Sequence, residues 1–160
     1  MISDITPFLW FDDKAEEAAR FYISVFPDSH IDQVNRYDEA GPGPAGTVMT
    51  VSFTLRGRPF VALNGGPVFK FNPAISFVVD CEDQAEVDRY WSLLSSDGAE
   101  GQCGWLTDKY GLSWQIVPTA LGRLLGDPDP ERAKRATAAM LKMKKLVIFE
   151  LEVAADGRGA

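Results

Sequence analysis

The same strand-then-helix pattern begins twice in this chain, about seventy residues apart, and this repetition limits the fold more than any other feature. Ile5-Thr6-Pro7-Phe8-Leu9-Trp10-Phe11 runs into Asp12-Asp13-Lys14-Ala15-Glu16, and Ile75-Ser76-Phe77-Val78-Val79-Asp80-Cys81 runs into Glu82-Asp83-Gln84-Ala85-Glu86. Each reads as a short apolar strand followed by a capped helix. In both copies an Asp (Asp13, Asp83) stands three residues before a Glu (Glu16, Glu86). The Asp carboxylate is placed to accept N–H groups of the first turn, and the Glu lies by the positive end of the helix dipole. An aromatic pair follows in each helix, Phe21-Tyr22 and Tyr90-Trp91. The shared order of strand, acidic pair and aromatic pair predicts two related half-domains around a shared cleft.

At 160 residues and 46% hydrophobic content, the chain is sized for one compact domain, residues 1–160, with a real core. Its formal net charge of −7 opposes binding to phosphate backbones and anionic membranes, so neither nucleic acid nor membrane is an expected partner. The segment Glu131 to Lys145 is locally basic through Arg132, Lys134, Arg135, Lys142, Lys144 and Lys145, which reads as a solvated helix face or a dimer rim. No run approaches the roughly 20 apolar residues of a membrane span. The N-terminus, with Asp4 and no basic region, does not read as a signal peptide. A soluble cytoplasmic protein is expected. The two cysteines, Cys81 in a strand and Cys103 in a Gly-rich loop, make neither a disulfide framework nor a zinc knuckle and are read as reduced thiols.

The first helix is predicted from about Lys14 to Phe26, with Ala15, Ala18, Ala19, Tyr22, Val25 and Phe26 as its inward stripe and Pro27 as its stop. Ser29 to Tyr37 reads as an irregular strand and Thr47 to Leu55 as an alternating one. The turn Arg56-Gly57-Arg58 then leads to a strand Pro59 to Asn64. The second copy carries a helix from about Gln84 to Leu94, with Val87, Tyr90, Trp91 and Leu94 facing in, and breaks at Ser95-Ser96-Asp97-Gly98. Gly101 to Leu106 and Leu112 to Val117 read as a hairpin through Thr107-Asp108-Lys109-Tyr110-Gly111, closed by Pro118. Thr119 to Leu125 and Pro130 to Met143 read as helices appended to the duplicated body. Asp129 is the cap of the second, and Ala133, Ala136 and Met140 form its inward stripe. Leu146 to Phe149 reads as a short strand or the entry to another helix, and Ala155 to Ala160 is expected to fray.

Gly41-Pro42-Gly43-Pro44-Ala45-Gly46 has dinucleotide-site spacing, but two prolines stiffen it and a strand follows, so it is read as a loop. His30, the sole histidine, falls in a surface turn, and no spacing resembles a zinc site. On the strand Leu112 to Val117, alternation puts Ser113, Gln115 and Val117 on one face and Leu112, Trp114 and Ile116 on the other. The face with the polar pair is the better cavity wall, because buried amides and hydroxyls need partners that a ligand or water supplies.

Thr6-Pro7-Phe8-Leu9-Trp10-Phe11, Leu63-Asn64-Gly65-Gly66-Pro67, Val79-Asp80-Cys81, Gly101-Gln102-Cys103-Gly104-Trp105-Leu106 and Gly111-Leu112-Ser113-Trp114-Gln115-Ile116-Val117-Pro118 carry a resemblance over nearly the whole chain. The sequence resembles the PhnB-like family of the vicinal oxygen chelate superfamily, which includes glyoxalases, extradiol dioxygenases and fosfomycin- or bleomycin-resistance proteins. The resemblance implies an α+β fold in which two β-α-β-β-β modules form an incomplete barrel around a cleft, commonly in a homodimer. The modules are expected at about 1–67 and 73–118, with a C-terminal helical extension at about 119–150. Such proteins are often labelled demethylubiquinone methyltransferases, yet the only Gly-rich segment lacks the strand-turn-helix setting of a Rossmann-type methyl-donor site. The superfamily's metal enzymes take a His or Gln from a module's first strand and a Glu from its last. By that resemblance the first-strand positions fall on Pro7 and Phe77 and the terminal one on Gln115. Pro and Phe side chains do not ligate and Gln is a weak neutral ligand, so neither a divalent metal nor another cofactor is expected. A shifted alignment brings in Thr6, Ser76 or Asn64, which alone bind such a metal poorly.

The reading with most support is a metal-independent small-molecule pocket lined by Pro7, Leu9, Phe11, Phe77, Val79 and Gln115, with Asn64 and Ser113 as polar contacts, suited to an apolar or aromatic ligand. A rival is an enzyme acting on a small metabolite in the same cleft with Cys103, Asp108 or Tyr110 as its chemical groups. A third is a dimeric interaction module.

Overall fold

A computed structural model describes residues 5–158 of the chain; the reading around Asp4 and the last two residues of the expected fray lie outside the described residues. The chain divides into two compact units, residues 1–71 and 72–160.

The first unit runs β1 (Phe8–Phe11), α1 (Ala15–Val25), β2 (His30–Arg36), β3 (Val48–Leu55) and β4 (Arg58–Asn64). Its sheet has the order β1-β4-β3-β2, with β1 parallel to β4 and the other pairs antiparallel. The β3–β4 hairpin turns on Arg56 and Gly57, whose φ angles of 47° and 80° are both positive. That is the backbone hand that matches the twist of the flanking strands, and glycine adopts it without strain. Helix α1 lays the expected stripe of Ala15, Ala18, Ala19, Tyr22 and Val25 on β3 and β4, and ends before Pro27. The three alanines let the helix approach the sheet closely. Tyr22 stacks on Phe53 at 6.3 Å between ring centroids and Phe53 on Phe60 at 5.5 Å. Burying an aromatic side chain of this size contributes roughly 2–3 kcal/mol. β2 is irregular as expected, with register shifts near Gln33 and Arg36. His30 opens that strand instead of sitting in a turn, and remains exposed with Nε2 3.0 Å from Asp32 Oδ1.

The helix cap differs from the sequence expectation. Lys14, not Asp13, is the residue before α1, and its side chain makes no capping bond. The Ala15 N–H is instead bonded by Asn64 Oδ1 at 2.7 Å. The ladder explains this: β1 and β4 run in parallel and end together on the pair Phe11–Asn64, so the last residue of β4 lies beside the start of α1. Asn64 Nδ2 donates to the Val48 carbonyl at 3.1 Å, and the Asn64 carbonyl accepts from Tyr37 Oη at 2.6 Å. One residue therefore ties together β4, α1, β3 and the chain after β2.

The second unit runs β5 (Ser76–Cys81), α2 (Gln84–Ser95), β6 (Ala99–Glu100), β7 (Trp105–Thr107), β8 (Ser113–Pro118), α3 (Thr119–Leu125), α4 (Pro130–Met140) and α5 (Ile148–Ala155). Its sheet order β5-β8-β7-β6, again with first and last strands parallel, repeats the topology of the first. The fold is α+β with two β-α-β-β-β modules, each with an open four-stranded sheet. Here the sequence signature of the cap holds: Asp83 accepts the Glu86 N–H at 2.9 Å and Glu86 accepts the Glu82 N–H at 2.8 Å. The expected strand Gly101 to Leu106 is broken, because Cys103 and Gly104 take φ angles of 57° and 83°. Their N–H groups leave the sheet and bond the Met143 and Lys144 carbonyls, each at 2.8 Å.

The C-terminal helices are part of this unit rather than an appendage to it. α4 stops at Met140, short of the expected Met143, and the freed carbonyls of Met143 and Lys144 receive the Cys103-Gly104 loop. The segment from Leu146 enters helix α5. Gln84 of α2 holds that entry from both sides, its Nε2 donating to Leu146 O at 3.1 Å and its Oε1 accepting from Ile148 N at 2.8 Å. Leu121, Leu124, Ala136, Leu146, Leu151 and Ala155 form their own buried cluster. Ala155, expected to fray, is fully buried, and its carbonyl accepts from Arg135 Nε and Nη2 at 2.9 and 2.6 Å. Much of the basic stripe is also committed locally: Arg132 reaches Asp127 at 3.0 Å and Asp156 at 2.5 Å, and Lys145 reaches Asp88 at 2.5 Å.

Asn64→Ala removes the remote cap and its bond to Val48, and is expected to lower stability by about 1–2 kcal/mol. Urea unfolding followed by tryptophan fluorescence measures the loss.

Candidate functional site

In each unit the helix covers one face of the sheet and leaves the other without a helix. Period-two alternation and the strand registers assign the side chains. In the first unit Leu9, Phe11, Val51, Phe53, Phe60, Ala62 and Asn64 share the helix-covered face. The opposite face carries Phe8, Trp10, Thr50, Ser52, Val61 and Leu63, with Phe8 paired to Val61 and 58% exposed. In the second unit Phe77, Val79, Cys81, Leu106, Trp114 and Ile116 share the helix-covered face. The opposite face carries Ser76, Val78, Trp105, Thr107, Ser113, Gln115 and Val117.

The residues singled out from sequence separate on this basis. Gln115 and Ser113 lie together on the helix-free face of the second sheet, with Ser113 buried and Gln115 half-buried. Leu9 and Phe11 are core residues against the helix side; Phe11 meets Phe71 edge-to-face at 5.2 Å. Pro7 precedes β1 in phase with them. Phe77 packs on Trp114 at 5.6 Å, and Val79 pairs with Ile116 on that same covered face. Asn64 spends its side chain on α1 and β3, as described above.

The alternation brings to Gln115 a set that sequence reasoning did not assemble. Gln115 pairs with Val78 on one side and Trp105 on the other. Its Nε2 donates to Ser76 Oγ at 2.9 Å. The Gln115 carbonyl oxygen accepts from no described protein group, and the Ser76 hydroxyl keeps its own proton to donate. An acceptor and a donor thus lie side by side between an indole and an aliphatic side chain, with Val78 53% exposed. The signal was present in the sequence as strict alternation; what was missing was the register, which pairs Gln115 with Val78 and not with Phe77.

That register also fixes which positions share the face of Gln115. Equivalent ladder ends, Phe11–Asn64 and Cys81–Pro118, make Phe8 the counterpart of Val78 and Val61 that of Gln115. Three of these four positions carry hydrocarbon side chains and the fourth a neutral amide, a donor set that does not fit a divalent cation. Among the described residues no group of three or more His, Cys, Asp or Glu side chains is placed to hold a metal ion.

The candidate chemical groups are placed as follows. Asp108 is 2% exposed, and its carboxylate accepts from Tyr110 N at 2.9 Å, Leu112 N at 3.1 Å and Trp114 Nε1 at 2.9 Å. It organises the β7–β8 turn and holds the indole in the core. Tyr110 is half-buried in that turn with the Lys109 ammonium 5.4 Å from its ring centre. Cys103 is half-exposed at the left-handed bend that docks on Met143. Cys81 is fully buried, and burial, with Glu86, Asp80 and Asp83 adding to it, pushes its thiol up to about 12, so it stays neutral. The Gly41–Gly46 segment joins two antiparallel strands and folds over the Tyr37 ring, against which a Cβ at Gly43 would stand 2.4 Å away.

The family model described as 3-demethylubiquinone-9 3-methyltransferase matches residues 3–117. The chain belongs to this PhnB-like family. A PhnB protein from Bacillus cereus is 43% identical, with a TM-score of 0.67 over 73% of this chain and 100% of that one. Protein PA1353 from Pseudomonas aeruginosa, 18% identical, gives a TM-score of 0.61 over 73% of this chain and 98% of its own. The fosfomycin resistance protein FosX from Listeria monocytogenes, 12% identical, gives 0.51 over 74% of this chain and 94% of its own. The last two share the fold, that of the glyoxalase and bleomycin-resistance proteins. No curated protein matches the sequence. No described helix of this PhnB-like chain is long and apolar enough to cross a membrane.

Asp108→Ala leaves three donors without their acceptor and is expected to cost about 2–3 kcal/mol in urea unfolding, with Asp108→Asn recovering part of it. Iodoacetamide treatment of the folded protein at pH 8 should alkylate Cys103 and spare Cys81, with peptide mass spectrometry as the readout.

Proposed function

We propose that this PhnB-like chain is a small-molecule binding protein whose ligand contacts the helix-free face of the second sheet without a divalent metal. The observation that carries the reading is the Gln115–Ser76 pair, with its unclaimed carbonyl acceptor and hydroxyl donor flanked by Trp105 and Val78. A planar, largely apolar ligand with adjacent hydrogen-bonding groups fits this chemistry: the indole and valine supply contact area, and the amide and hydroxyl fix orientation. Ser113, on the same face, is a further polar contact in this reading.

The family's description names a methyl transfer, and the residues favour binding over it. The one Gly-rich segment spans a hairpin and packs on Tyr37, so it offers no helix N-terminus to a Rossmann-type donor. Asp108 is enclosed by three donors, which leaves it no free lone pair aimed at a substrate proton in this geometry. Free Cys81 and Cys103 support a reducing, cytoplasmic setting.

Saturation-transfer NMR against a panel of aromatic metabolites is expected to find binders, and Gln115→Leu is expected to weaken the strongest at least about tenfold, the loss of one well-placed hydrogen bond. Stoichiometric metal in the purified protein by mass spectrometry, or unchanged binding in Gln115→Leu, would overturn the reading.

A further inference from the structure

The family match ends at residue 117, so helices α3, α4 and α5 are additional to the matched body. Their inner side is accounted for by the buried leucine and alanine cluster. Their outer side is not. α4 and α5 lie side by side, and a groove of about 540 Å³ runs between them over Ala139, Met143 and Val153. Phe149, on the first turn of α5, lines this groove and is 72% exposed. A hole and a projecting knob therefore occupy the same small surface.

The charges at the groove narrow the occupant. Arg135 is taken by the Ala155 carbonyl. That leaves Lys142 and Glu150, one of each sign, and neither has an ion-pair partner among the described residues. An anionic ligand would meet only one free cation, with a carboxylate on the same groove. A second copy of the same surface, turned by a two-fold axis, meets both charges with their opposites. Two-fold interfaces require this self-complementarity, in which residue i meets j and j meets i.

We infer that the α4–α5 face is a homodimer interface, in which Phe149 of one copy enters the groove of the other and Lys142 pairs with Glu150 of the partner subunit. Exposed aromatics seated in a partner's pocket are the residue type that carries most binding energy in such contacts. The ion pairs set orientation and exclude other pairings. The inference is independent of the ligand-binding reading, since none of these residues belongs to the sheet face that carries Gln115.

Sedimentation equilibrium of the full chain over a micromolar concentration range tests it. The wild type is expected to dimerise, and Phe149→Ser to raise the dissociation constant about 30-fold, the factor that a loss of about 2 kcal/mol gives. Lys142→Glu and Glu150→Lys are each expected to weaken the dimer, and the double reversal to restore it. Far-UV circular dichroism checks that the variants fold; should Phe149→Ser not fold, the charge reversals decide alone. A monomeric wild type, a dimer that Phe149→Ser leaves unchanged, or a double reversal that fails to restore association overturns the inference.

Discussion

The parallel pairing of first and last strands, β1 with β4 and β5 with β8, is the constraint on which the rest of each unit depends. Parallel neighbours need a crossover between them. In this chain the crossover is a helix followed by two antiparallel strands, so the helix must cover one face of the sheet it connects. The same pairing delivers the end of the last strand to the start of the helix. In the first unit that end is Asn64, whose amide caps α1; in the second it is Pro118, which has no such group, and α2 is capped by its own Asp83. Two related units thus satisfy the same orphan N–H groups by different routes.

The one-sided cover of each sheet decides what is available for binding. With side chains alternating at every residue, an error of one position moves a group from the open face to the core. This separates Phe77, held against Trp114, from Val78, held beside Gln115. It also makes the open face of the second sheet chemically specific: an amide and a hydroxyl joined at 2.9 Å, between an indole and an aliphatic side chain. The buried carboxylate of the unit, Asp108, serves the turn that presents this strand.

The C-terminal helices extend the second unit through polar as well as apolar contacts. Gln84 brackets the entry to α5 with both atoms of its amide, and the left-handed bend at Cys103 and Gly104 turns two N–H groups out of the sheet to meet the chain after α4. The cost of breaking the sheet there is offset by those two bonds. The result is a second buried cluster, with an outer surface whose charges and projecting phenylalanine are balanced on a single face.

How much of this was legible in the sequence follows from the range of the forces involved. The duplication, the helix stripes such as Ala15 to Val25, the Arg56-Gly57 turn, the Asp83 cap and the family resemblance are all local patterns, because helix periodicity, turn chemistry and capping act within a few residues. The opposition of Ser113 and Gln115 to Trp114 and Ile116 was equally local. The remote cap at Asn64, the break at Cys103, the burial of Ala155 and the grouping of Gln115 with Ser76, Val78 and Trp105 were not. Each depends on a partner from 39 to 49 residues away, or on which strands end together, as for Gln115 with Ser76 and Ala15 with Asn64. The sequence by itself determined the duplicated α+β scaffold. Only the tertiary structure decided which face each side chain occupies, because register is set between strands and not along them.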